Sequence, residues 1–178
     1  MRPIVITGGP GAGKTTLIDE LALQGYATFA EGSRLLIEQQ SQQETPILPW
    51  TDLPQFATLC LALMQEQKRQ AEYSAPAFVD RAIPDIIAYL QVGGCEVEST
   101  FFAESVGYHQ QVFVCRPEAS IYVQDEVRPH CFEEAMHIHQ TLLEVYRTIG
   151  YQVIDVPWGS VAERTAFVLK MVRVACEG

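Results

Sequence analysis

The chain has 178 residues, with 22 acidic against 12 basic side chains and a formal charge of -10, a length that predicts one domain with an ample core. The acidic balance excludes a nucleic-acid polymer as the main partner, because such binding is driven by many lysine and arginine contacts to phosphates. With 48% apolar and 19% charged residues, and no apolar run of the roughly 18 residues that span a bilayer, membrane-spanning and disordered classes are excluded as well.

From the N-terminus, Met1-Arg2-Pro3 runs straight into Ile4-Val5-Ile6, which reads as the first strand and leaves no room for a signal peptide. Five apolar segments read as buried strands, at 3–7, 26–30, 77–80, 111–115 and 151–156, each followed by helical sequence. Between Thr51 and Tyr73, the residues Phe56, Leu59, Leu63 and Met64 recur at helical spacing, with Pro54 acceptable in a first turn; their apolar faces are read as core. The same pattern returns at 132–149 with Ala135, Ile138, Leu142, Val145 and Ile149. A last helix starts at an S-x-x-E capping box formed by Ser160 and Glu163, before Thr165, Val168, Leu169 and Val172. Strands alternating with helices predict an α/β domain with a five-stranded parallel sheet between two helical layers. The stretches 41–52 and 116–132 read as loops of the kind that lie near a ligand in such folds.

Five widely spaced cysteines without a C-x-x-C pair indicate neither a disulfide framework nor a zinc site, and fit a reducing cytoplasm. His137 and His139 are two apart and so fall on different helix faces, His139 on the apolar stripe as a core histidine.

The strongest signal is Gly8-Gly9-Pro10-Gly11-Ala12-Gly13-Lys14-Thr15, which satisfies G-x-x-x-x-G-K-[ST] between an apolar strand and a helix opened by Thr16. The glycines let successive N–H groups turn inward toward phosphate oxygens, and the helix adds its positive end. Lys14 is expected to reach the β and γ phosphates of ATP, and the Thr15 hydroxyl to ligate Mg²⁺.

This turn serves switches, motors and kinases alike, so the other polar positions must discriminate. Asparagine is absent from the chain, so the N-K-x-D element of guanine-specific switches cannot be supplied. In Phe78-Val79-Asp80-Arg81, Asp80 stands at a strand end where a carboxylate holds Mg²⁺ directly or through water. Arg81 occupies the place of a water-activating glutamate, which favours transfer to a bound acceptor over fast hydrolysis.

Glu31 after strand two, Asp80-Arg81 after strand three, and the stretch from Arg116-Pro117-Glu118 through Arg128 to Phe132-Glu133-Glu134 together resemble the nucleoside and nucleotide kinases among P-loop proteins, thymidylate-kinase-like in the lid. The chain is also similar, over nearly its whole length, to small bacterial predicted ATPases of the AAA-domain type, with E-x-x-R, D-R-x-x-P-D and Q-D-x-x-R elements. The resemblance implies a three-layer nucleotide-kinase-like fold with a helical lid at about 116–132, Glu31 as base toward an acceptor hydroxyl, and Asp80 serving metal or substrate. It further implies Arg81 facing the transferred phosphoryl group, Arg128 stabilising charge from the lid, and Arg116 and Trp158 near the nucleotide base. Arg34 is read as an acceptor-anion ligand or a partner of Glu31, Asp125 as orienting Arg128 or exposed, Asp85 as a first-turn helix acid, and Trp50 as lying on the acceptor side. Ala82 departs from the Ser, Tyr or Thr that often follows the Asp-Arg pair in those kinases.

Two functions are expected from this set. The first is a Mg²⁺-dependent phosphotransferase moving the γ-phosphoryl group of ATP to a small nucleoside- or nucleotide-like acceptor. The second is a regulatory ATPase with slow hydrolysis, whose nucleotide sets the lid for a protein partner.

Overall fold

The computed structural model describes residues 1–74, 76–119 and 131–177, with side chains described up to residue 173. Twelve elements follow in chain order: β1 (Ile4–Thr7), α1 (Lys14–Leu23), β2 (Ala27–Phe29), α2 (Gly32–Gln40), α3 (Leu53–Glu72) and β3 (Ala77–Asp80), then α4 (Ile83–Val92), α5 (Ser99–Glu104), β4 (Gln111–Val114), α6 (Phe132–Ile149), β5 (Gln152–Asp155) and α7 (Val161–Glu177). The strands form one sheet in the order β2-β3-β1-β4-β5, and every pairing is parallel.

Alternation along the strands sorts the core into two layers. Ile4 and Ile6 of β1, with Phe78 and Phe113, pack against Leu17, Ile18 and Leu21 of α1 and Val168 and Val172 of α7. Val5, Val79, Val112 and Val114 point the other way, into apolar side chains of α3, α4 and α6. Period-two strands flanked by helices on both faces produce this arrangement. The central strand β1 is followed by a helix on one face, while its neighbours β3 and β4 are followed by helices on the other. A crevice therefore opens beyond the carboxyl end of β1, where ligands of such sheets bind.

The five strands and the long helices match the periodicity, and two caps are formed as their sequences demand. The Ser160 hydroxyl accepts from Glu163 N at 3.3 Å while Ser160 N donates to Glu163 Oε2 at 2.8 Å, and Asp52 accepts from Gln55 N at 3.0 Å to start α3. The short helix α5 has no clear apolar period in six residues and is not anticipated by the sequence pattern. The expected lid stretch 116–132 ends differently, because Phe132 already belongs to α6 and Cys131 is its N-terminal cap. Of the expected lid stretch, residues 120–130, with Asp125 and Arg128, lie outside the described residues. Among the described residues, no helix is long and apolar enough to cross a membrane.

One buried polar group ties the layers together. Asp85 is 1% exposed, and α4 around it is apolar on almost every side. Its Oδ1 accepts from the Thr7 hydroxyl at 2.5 Å and from Arg81 Nη1 at 3.1 Å; its Oδ2 accepts from Ala82 N at 3.0 Å and from the Tyr146 hydroxyl at 2.5 Å. The expectation of a simple first-turn acid is therefore corrected. A carboxylate that caps its own helix and also binds β1 and α6 is a tie between elements, and burial without those donors would be costly. Tyr146→Phe removes one donor without changing shape. It is expected to lower the urea-unfolding free energy by about 1–3 kcal/mol, and unchanged stability would contradict the role given to this bond.

Candidate active site

The glycine-rich turn between β1 and α1 is shaped by its surroundings. Gly8 has φ of 139°, and a Cβ there would lie 1.9 Å from the Cys115 carbonyl oxygen, so only glycine fits. Gly13 caps α1 in the left-handed region at φ 70°. Gly9, Pro10, Gly11 and Ala12 complete the loop. Lys14 is 5% exposed, and its Nζ donates to the Gly9 carbonyl at 3.0 Å, curling back over the turn. Burial, and then the nearby Arg81 charge, lower its pKa, while Asp80 and Glu31 oppose them. Thr16 Oγ1 donates to the Gly13 carbonyl at 2.9 Å, whereas the exposed Thr15 side chain faces solvent at the first turn of α1.

Beside the loop, the buried Asp80, Arg81 and Asp85 and the half-buried Glu31 form a cluster. Arg81 is 5% exposed and adopts φ of 68°, a left-handed conformation uncommon for a long side chain. Its backbone N donates to the Ile6 carbonyl at 2.9 Å, its Nε to Glu31 Oε1 at 3.1 Å, and its guanidinium lies 5.3 Å over the Tyr89 ring. These contacts hold the strained backbone in place. Burial alone would raise the Glu31 pKa, but Arg81, Lys14 and the Ser33 hydroxyl, which donates to Oε1 at 2.8 Å, bring it down to about 2. Glu31 is thus ionised at neutral pH, and its Oε2 has no hydrogen-bond partner among the described residues.

Asp80 is in the opposite condition. It is 2% exposed, and its Oδ1 has no hydrogen-bond partner among the described residues. Burial pushes its carboxyl up to about 6 despite the pull of Lys14. An orphaned carboxylate oxygen beside a phosphate-binding loop suits a divalent cation, since Mg²⁺ is held by one or two protein oxygens and completes its shell with phosphates and water. Asp80 and the Thr15 hydroxyl fit that donor set. Among the described residues no group of three or more His, Cys, Asp or Glu could enclose a metal, His137 and His139 included.

A cavity of about 310 Å³ adjoins this cluster, with Pro10 of the loop, Glu31, Arg34 and Arg81 in its wall. Trp50, 56% exposed, is in its wall as well. The apolar face of α3 is core, as its spacing predicts, and Phe56, Ala57, Cys60 and Met64 line this cavity as well. A periodic stripe does not distinguish a filled core from a hollow one.

On the far side of the loop, Arg116 is exposed and lies 4.0 Å from Asp155, and Trp158 is 45% exposed after β5. The sequence reading missed Arg164. It is 6% exposed, donates from Nη2 to the Ala12 carbonyl at 3.3 Å and from Nη1 to the Gly13 carbonyl at 3.4 Å, and stacks 5.7 Å from Trp158. A signal existed: 164, 168 and 172 are spaced one turn apart, so an arginine opens a stripe otherwise made of valine. His139 is buried as expected, and it also touches the loop, its Nδ1 accepting from Gly9 N at 3.4 Å. Burial, then Arg116, lower its pKa to about 4, so it is neutral at pH 7.

The opposite pKa shifts set opposite pH dependences of stability. The folded chain holds the Asp80 proton more tightly than the unfolded chain does. Its favourable contribution is therefore complete below pH 3.8 and lost as pH rises through about 6; the loss is roughly 3 kcal/mol. Glu31 contributes stability above pH 4.5 that is lost as pH falls through about 2. Asp80→Asn should accordingly raise the thermal midpoint at pH 8 and change it little at pH 4. A variant less stable than the parent at pH 8 would contradict this reading of Asp80.

Among solved structures, the chain is similar to a deoxyadenosine kinase from M. mycoides bound to the products dcmp and dcdp, at 17% identity and TM-score 0.63, covering 97% of this chain and 99% of that one. It is similar to the thymidylate kinase of Candida albicans at 14% identity and TM-score 0.68, covering 98% and 92%, and to NadR protein in complex with NR at 16% identity and TM-score 0.65, covering 96% of this chain and 48% of that one. No curated protein sequence matches it. At these identities the likeness establishes the fold, that of the P-loop nucleoside and nucleotide kinases. The family model described as an AAA domain matches residues 3–164, and the chain belongs to that family.

Proposed function

We propose that the protein is a magnesium-dependent phosphotransferase, moving the γ-phosphoryl group of ATP to a small hydroxyl-bearing acceptor of nucleoside-like size. The observation that carries this reading is the cavity of about 310 Å³ whose wall joins the phosphate loop at Pro10 to the Glu31–Arg81 pair. A donor site and an acceptor site that share a wall suit transfer. A nucleotide-timed switch acting on a protein partner leaves that cavity unexplained.

In this reading the loop from Gly8 to Thr16 cradles the phosphates with its N–H groups, and Lys14 leaves the Gly9 carbonyl to reach the β and γ oxygens. Thr15 and Asp80 hold Mg²⁺, which neutralises phosphate charge when bound. Glu31 accepts a hydrogen bond from the acceptor hydroxyl at Oε2 and orients its oxygen toward the γ-phosphorus. A weakly basic carboxylate suffices here, because a loose transition state releases the hydroxyl proton late. Arg81 turns part of its planar fork to the transferred group, joined by Arg128 of the lid. Arg116 and Trp158 flank the adenine, and Arg164 steadies the loop from behind. Function as one domain in the cytoplasm accords with this reading.

Glu31→Gln keeps the shape of the site and removes the charge. Turnover measured as ADP release should fall on the order of 10²–10⁴-fold, while ATP affinity measured by calorimetry stays within a few-fold. Unchanged turnover would dismiss Glu31 as the orienting base.

A further inference from the structure

The wall of the acceptor cavity is divided by chemistry. Its charged side chains and its one hydroxyl-bearing serine come from two short stretches at the strand ends: Glu31, Ser33 and Arg34 around the start of α2, and Arg81 and Asp85 around the start of α4. Most of their capacity is already used within the protein. Glu31 Oε1 accepts from Ser33 and Arg81, and Asp85 accepts from four donors. Among the described residues, the groups of this wall left without a side-chain partner are Glu31 Oε2 and the Arg34 guanidinium, both at the same end.

The rest of the wall has another character. Trp50, Leu53, Phe56, Met64, Ile86 and Val92 offer hydrocarbon, a thioether and aromatic faces; the polar side-chain atoms that the described residues add there are few, the indole N–H of exposed Trp50 and the hydroxyl of Tyr89, which already pairs with Arg81. Cys60 is the one thiol in the wall; burial, with the Glu31 charge added, pushes it up to about 12, so it remains an uncharged, weak donor. A nucleobase carries several donors and acceptors on its edge. Buried against this wall, most of them would surrender water without gaining a partner. An alcohol whose hydroxyl meets Glu31 and whose remaining body is hydrocarbon leaves nothing unpaired.

Resting on the phosphotransferase reading for its chemistry, we infer that the acceptor is a neutral alcohol with a predominantly apolar body, in preference to a nucleoside. The cavity of about 310 Å³ lies at the small end of ligand sites. It admits a body of about ten or more non-hydrogen atoms, taking water's share of roughly 30 Å³ for each. In the transfer step the alcohol oxygen forms a bond to the γ-phosphorus of ATP as the bond from that phosphorus to the β–γ bridging oxygen breaks. The electron pair leaves with ADP, the hydroxyl proton passes to Glu31 Oε2, and the product is a phosphate monoester.

Calorimetric titration of the full chain, with Mg²⁺ and a non-hydrolysable ATP analogue present, tests the inference with named probes: geraniol and cyclohexylmethanol against thymidine and deoxyadenosine. The alcohols should bind on the order of 10- to 100-fold more tightly than the nucleosides, with a negative heat-capacity change. Nucleosides binding equally or better, or alcohols not binding, would overturn it. Met64→Gln places an amide in the apolar wall and should weaken geraniol at least about tenfold, with affinity for the ATP analogue preserved. Leu53→Gln, at a half-buried position, serves if the first variant does not fold. Unchanged geraniol affinity in a folded variant would also overturn the assignment. ADP release with geraniol and ATP is read separately: binding without turnover supports the apolar acceptor pocket and counts against phosphotransfer, so the two readings fail independently.

Discussion

The Arg81 guanidinium stands between two carboxylates, Glu31 on the acceptor side and Asp85 on the side of the sheet, at 3.1 Å from each. A charge buried to 5% exposure needs such partners, because desolvation without them costs several kcal/mol. The same contacts hold a residue at φ 68°, where an ordinary side chain is strained. Through Asp85 the arrangement reaches Thr7 of β1 and Tyr146 of α6, and through Glu31 it reaches the start of α2. The positions of β1, α2, α4 and α6 are therefore coupled through one arginine.

This cluster is paired for the most part, and its exception is informative. Asp80 is buried with an oxygen that has no partner among the described residues, and its burial costs stability at neutral pH. An unpaired buried carboxylate beside a phosphate loop fits a site that becomes complete only with a cation and a nucleotide. Around it the acidic chain concentrates its few buried cations: Lys14, Arg81 and Arg164 are each about 5% exposed. A protein with an overall charge of -10 thereby presents a local positive field to one small polyanion.

Much of this was legible in the sequence. The eight-residue loop has its own physical grammar, and the period-two and period-3.6 patterns specify a parallel sheet between helices. Asp80-Arg81 were singled out by their place at a strand end, where such folds bind ligands, and Glu31 by its resemblance to the base of the nucleoside kinases; the structure brings Glu31 and Arg81 into contact. Asp85 was read as an ordinary helix acid because first-turn acids are common; the signal for its burial lay in the continuous apolar surroundings of Ile83 to Leu90. Arg164 was missed because its partners are backbone carbonyls 151 and 152 positions away, a relation that no local spacing encodes. The cavity beside α3 was not legible for a related reason, since an apolar stripe such as that of Phe56 and Met64 looks the same whether part of the opposing space is filled or empty.

The central claim is that Glu31 and Asp85 act as one unit through Arg81. A double-mutant cycle on stability tests it most directly, with urea unfolding of the parent, Glu31→Gln, Asp85→Asn and the pair. The account predicts that the two substitutions interact by about 1–3 kcal/mol, as residues of one buried network do. Additive losses, within about 0.5 kcal/mol, would contradict it and leave Arg81 bound to two independent neighbours.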